Sequence, residues 1–161
     1  MTFTGDPQGE VGRMAQACFA ITGSSPAAIE QARNIVALLR GTTAEVAEDQ
    51  RPLYHAALCH ASNHLVTLMA GATHALAAAG VTDPAGLLAP LVRAALENSL
   101  DRGFSALSGP LLRGDERTID GHLDALHAHC PQLLPAYRAM ALATLDELGR
   151  TEPSHLRRAL D

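Results

Sequence analysis

Residues 51–80 read RPLYHAALCHASNHLVTLMAGATHALAAAG, and this stretch decides the fold. Ala and Leu dominate it, no proline follows Pro52, and Gly71 is its one internal glycine. Ala and Leu head the helix-propensity scale. The stretch therefore predicts one helix of about 28 residues, about 42 Å at 1.5 Å per residue, stopped at Gly80. Such a helix is long for a globular protein and marks the spine of an all-α domain. The rest of the chain agrees. Its 161 residues include 30 Ala and 24 Leu but five aromatics and no Trp, which excludes an all-β fold. A hydrophobic content of 47% with 18% charged residues excludes disorder.

Downstream of the spine, Val81-Thr82-Asp83-Pro84 forms a turn with a cap and a first-turn proline. A second helix is expected over about Pro84 to Arg102, with Leu87, Leu88, Leu91, Val92, Ala95 and Leu96 on its apolar side and Gly103 as its breaker. A short segment, Phe104 to Leu107, leads into the interhelical loop Ser108 to Asp115. Asp115 caps a third helix reaching about His129, and Pro131 opens a fourth, apolar at Leu134, Tyr137, Ala141, Leu145 and Leu148. A polar tail follows.

Upstream, the pattern changes near residue 50. Ala17 to Thr22 is a short strand candidate closed by Gly23-Ser24-Ser25. Ser25 and Pro26 start a helix with apolar positions Ile29, Ala32, Ile35, Val36 and Leu39, and Gly41 ends it. Thr42 to Ala47 is a second strand candidate. Two parallel strands around one helix bury little alone, so residues 1–50 read as the tail of a larger α/β sheet. Residues 51–161 form the helical domain, and the fold class is mainly α.

Composition also excludes functions. All twelve basic residues are Arg, which removes any lysine Schiff base, lysine general acid or P-loop. A net charge of −5 argues against a nucleic-acid partner. No apolar run approaches the roughly 20 residues that span a bilayer, so no membrane partner is expected. The opening MTFTGDPQGE lacks the basic and apolar regions of a signal peptide. Cys18, Cys59 and Cys130 are odd in number and far apart, as expected of reduced thiols in a cytoplasmic protein.

Three groups carry candidate chemistry. On the long helix, His55, Cys59, Ser62, Asn63 and Val66 recur at spacings that share one face. Histidine exchanges protons near neutrality, and a carboxamide orients an oxygen; capping or helix contacts are the plainer alternative for the same residues. His60 and His64 form an i, i+4 pair able to clasp a divalent ion. No HExxH pattern and no carboxylate at compatible spacing accompany them, so exposed or interface histidines are expected and no metal. In the loop SGPLLRGD, Arg113 either meets a substrate carboxylate or pairs with Asp115. No G-x-G-x-x-G opens a βαβ unit, so no cofactor-binding residues are expected in this chain.

Leu53-Tyr54-His55-Ala56-Ala57, Ala61-Ser62-Asn63, Pro90 to Leu100, and Ser108-Gly109-Pro110 through Arg113-Gly114-Asp115 together carry a resemblance. Over residues 2–148 the chain resembles the C-terminal portion of Rossmann-like proteins carrying the domain of unknown function 2520. In that family a dinucleotide-binding domain precedes this region. Thr2-Phe3 resembles a stretch near that domain's end, which implies that the chain begins partway through it. The helical half also resembles the C-terminal domain of 6-phosphogluconate dehydrogenase-like proteins, which include ketopantoate and pyrroline-carboxylate reductases.

Ketopantoate reductases carry a Lys-xxx-Asn-xxx-Asn-xx-Thr-Ala-Leu pattern on their long helix. Here the frame reads His55-xxx-Cys59-xxx-Asn63, followed by His64-Leu65-Val66-Thr67-Leu68. Asn63 matches the second Asn, His55 stands at the catalytic Lys, and Cys59 replaces the first Asn. Arg117-Thr118-Ile119-Asp120 is faintly similar to a further segment of those enzymes. The resemblance implies the substrate-binding and dimerisation portion of an NAD(P)-dependent oxidoreductase acting on a small oxo or hydroxy acid. His55 and Asn63 would be catalytic. Ser62, Asn98, Arg113 and His122 would bind a carboxylate substrate. NADP or NAD would be held by the missing N-terminal domain, the isolated chain would be inactive, and the chain would form a homodimer. The rival reading is a non-enzymatic helical homodimeric interaction module.

Overall fold

The computed structural model describes residues 6–14 and 17–161. Their order is α1 (Pro7–Met14), β1 (Cys18–Ile21), α2 (Pro26–Leu38), β2 (Thr42–Glu45), α3 (Arg51–Ala78), α4 (Pro84–Arg102), α5 (Pro110–Arg113), α6 (Glu116–His129), α7 (Leu134–Glu147) and α8 (His155–Leu160). Short 3-10 turns at Glu48–Gln50, Gly103–Ala106 and Pro131–Leu133 precede α3, follow α4 and precede α7. The fold is mainly α with a short β-α-β unit near the N-terminus, as the sequence implies. Thr2-Phe3 lies outside the described residues. By contacts the chain forms two compact units, residues up to Leu65 and residues from Val66.

In the first unit β1 and β2 pair in parallel, Cys18 with Thr42 through Ile21 with Glu45. Ser25 caps α2 by accepting the Ala28 N–H at 3.2 Å, and Pro26 follows it at the first helical position. The exit from α2 differs from the expectation for Gly41. The left-handed residue is Arg40, at φ +56°. Gly41 is required instead for space, since a Cβ there would stand 2.6 Å from the Phe19 ring and 2.8 Å from the Ala17 carbonyl. Ile21 and Val36 are the buried apolar residues between sheet and helix.

In the second unit the core gathers Ile119 of α6, Ala141 and Leu145 of α7, and Leu156 and Leu160 of α8. Leu111, Leu123, Tyr137 and Leu142 pack around them. The tail expected to be polar therefore carries a helix. Ser154 caps α8 by accepting the Arg157 N–H, and its two leucines stand four residues apart on one face. Arg157 donates to the Arg150 carbonyl and pairs with Asp146. Arg150 in turn donates to the carbonyls of Leu111 and Leu112, both at 2.8 Å. The loop 108–115 also holds more structure than expected. A single helical turn, α5, fits between Gly109 and Gly114, both at positive φ.

α3 and α4 match their expected extents, yet neither contains a buried residue. α4 starts at the Asp83 cap, which accepts the Gly86 N–H at 3.0 Å, and packs chiefly on the 3-10 turn after it. Pro90 inside it has no N–H to donate to the Gly86 carbonyl. Gly71 of α3 admits Leu133, whose Cδ2 would lie 3.0 Å from a Cβ at that position.

Candidate functional site

The parallel pairing of β1 and β2 brings both strands out at the same edge. Beyond the strands, the Val46 N–H donates to the Ile21 carbonyl at 3.0 Å, and the Thr22 hydroxyl donates to the Val46 carbonyl at 2.7 Å. The chain then turns through Glu48–Gln50 into α3. An open cleft of about 570 Å³ results, lined by Ala20, Thr22, Val46, Glu48, Arg51, Pro52, Tyr54 and His55. Its volume lies in the range of small-molecule sites, and it sits at the carboxyl ends of parallel strands, where α/β sheets bind ligands. His55 is thus the sequence-expected residue that this cleft takes up. Thr22, Glu48 and Arg51 were missed, because strand pairing across more than twenty residues brings them together and no local motif announces it.

His55 Nε2 lies 3.5 Å from the Cys59 Sγ, one helical turn on. Nδ1 is then the ring nitrogen free to meet a ligand. Arg51 Nη1 lies 3.4 Å from Glu48 Oε1, and both side chains are mostly exposed. The Ser62 hydroxyl donates to the Leu58 carbonyl at 2.7 Å and lies 3.2 Å from Asn63 Oδ1. Eight residues separate His55 from Asn63, about 12 Å along a helix axis. The two would therefore meet different atoms of a ligand rather than one oxygen. His60 and His64 face each other with Nδ1 atoms 3.0 Å apart, and no cluster of three or more metal-ligating side chains exists among the described residues.

The remaining candidates belong to the second unit. Asn98 lines a separate cleft of about 570 Å³ with Leu91, Ser99, Phe104 and Ser108. Neither Arg113 nor His122 lines it. Arg113 is exposed at the end of α5. Asp115 caps α6 instead of serving as a close partner for Arg113. It accepts from the Thr118 hydroxyl at 2.7 Å and the Thr118 N–H at 3.1 Å. These bonds, with smaller help from the Arg113 and Arg117 charges, hold its carboxyl below the ordinary aspartate range. His122 Nδ1 lies 2.8 Å from the Tyr137 hydroxyl. Burial pushes that phenol's pKa up.

The turn between β1 and α2 bears on a dinucleotide. Ser25 already occupies an amide of α2, Pro26 removes another donor, and Ile29 fills the space beside Gly23, its Cγ1 2.7 Å from a Cβ position there. That turn does not fit a pyrophosphate, which needs a glycine-lined approach to free amides. No helix among the described residues is long and apolar enough to cross a membrane.

No curated protein and no solved structure matches the chain. A family model does match, over residues 17–144, which span both strands, the β1–β2 cleft and helices α2 to α6 whole, together with most of α7. The chain belongs to the family that this model describes, Domain of unknown function (DUF2520).

Proposed function

We propose that the chain is the substrate-binding and dimerisation portion of an NAD(P)-dependent oxidoreductase acting on a small oxo or hydroxy acid, in the manner of the ketopantoate reductases it resembles. The observation that carries this reading is the position of His55, in a cleft at the carboxyl ends of two parallel strands. There its Nδ1 can hold a proton beside a carbonyl or hydroxyl oxygen while Nε2 is engaged by Cys59. Asn63 orients a more distant polar group of the substrate. The dinucleotide belongs to residues other than those of the β1–α2 turn.

The exposed apolar residues of α4 support the homodimer and serve equally the rival reading of a non-enzymatic module. Two measurements separate them. In an enzyme joining this chain to a G-x-G-x-x-G domain, His55→Ala should lower kcat for oxo-acid reduction by about 10²-fold or more with KM little changed. Full turnover by the variant sinks the catalytic role. Light scattering and NADPH fluorescence on the chain alone should report a dimer without nucleotide binding. A monomer removes the dimerisation role, and micromolar NADPH binding overturns the placement of the nucleotide elsewhere.

A further inference from the structure

We infer that Arg51 anchors the substrate's carboxylate and that Glu48 is the internal anion which the substrate displaces. The inference rests on reading the β1–β2 cleft as the substrate cleft. Arg51 and His55 both line it, and they stand at i and i+4 on α3. Side chains so spaced have Cβ atoms about 5–6 Å apart, close enough to engage adjacent groups of one small molecule. A 2-oxo acid has this form, with its carboxylate bonded directly to its carbonyl carbon. Arg51 meets the carboxylate while His55 meets the neighbouring oxygen.

The guanidinium is available for this exchange. Its contact with Glu48 is a single one, Nη1 to Oε1 at 3.4 Å, and the side chains are 61% and 76% exposed. Such a pair contributes little and is easily replaced. A small carboxylate can use the whole planar fork, with two parallel hydrogen bonds where Glu48 uses one. Thr22 and Tyr54 line the same cleft and add polar reach toward a substrate's further atoms. Arg113, the arginine singled out by sequence, belongs to the second unit.

The test uses pyruvate as probe, titrated into the full chain and followed by amide and arginine side-chain NMR shifts. Shifts should centre on Thr22, Val46 and Arg51. Arg51→Gln should raise the pyruvate Kd roughly fivefold or more, with Arg51→Lys intermediate because it keeps the charge and loses the fork. Glu48→Gln should lower the Kd, by roughly threefold, because the competing anion is gone. Loss of binding in Arg113→Gln with binding retained in Arg51→Gln overturns the proposal, as does an absence of shifts in the cleft. A Kd unchanged or raised by Glu48→Gln removes the displacement by substrate. No nucleotide enters this titration. Pyruvate bound through Arg51 without carbonyl reduction by the two-domain enzyme would fail the oxidoreductase reading alone.

Discussion

Two regions of the second unit use the same residues to opposite ends. α6, α7 and α8 turn their leucines inward, and Leu145 and Leu160 are each 1% exposed. α4 is longer and has leucines at the same i, i+4 spacing, yet Leu96 is 47% and Leu100 77% exposed. The short helices complete one another within the chain. The long one has an apolar face that the rest of its own unit leaves exposed. Helix propensity and leucine spacing thus determine that a helix forms; whether its face is filled depends on what else the fold brings to it.

The sharpest way to break this comparison is to remove α8. Deleting residues 154–161 takes Leu156 and Leu160 from the core and should cost about 5 kcal/mol or unfold the second unit, read by urea denaturation. A loss below about 1 kcal/mol would mean that the core closes without α8. Leu145→Ala should cost ~3 kcal/mol in the same measurement. Leu100→Asp on α4 should behave differently. In the proposed homodimer it should raise the dissociation constant at least about tenfold by light scattering while changing the stability of the separated protomer by less than about 0.5 kcal/mol. Equal costs for Leu145 and Leu100 in the protomer would erase the distinction.

The smallest effect concerns Asp115. Its carboxyl titrates below the ordinary aspartate value because Thr118 bonds its charged form. The cap's contribution is therefore present above the unfolded value of about 4 and lost as pH falls through the lower folded value. Asp115→Ala should lower the urea midpoint near neutral pH, and that difference should shrink toward about pH 3. A difference constant across this range would deny the cap its charge.

Much of the fold was legible in the chain. Asp83 and Asp115 mark the starts of α4 and α6, and Gly103 marks the end of α4, because caps act locally. α8 was not legible as structure, since six residues with two leucines carry too weak a period, although Ser154 three residues before Arg157 signals its cap. Likewise, Gly41 looked like a helix stop because a left-handed residue usually is glycine; Arg40 takes that conformation and Gly41 answers a crowding visible only in three dimensions. In the site, the His55–Cys59 contact follows from helical spacing alone. Thr22 and Arg51 line one cleft because parallel strands bring distant segments to one edge, and no local spacing encodes that.

Pro90 adds a consequence on the timescale of amide exchange. With no proton to give the Gly86 carbonyl, it leaves a missing rung in α4's ladder. A helix interrupted there opens as two segments instead of one. In deuterated water the amides before Pro90 should exchange ahead of those from Leu91 to Arg102. A partner seated on the face bearing Leu96 and Leu100 would slow the second group and leave the first nearly as it was, so the pattern of exchange along one helix would map where the protein is covered.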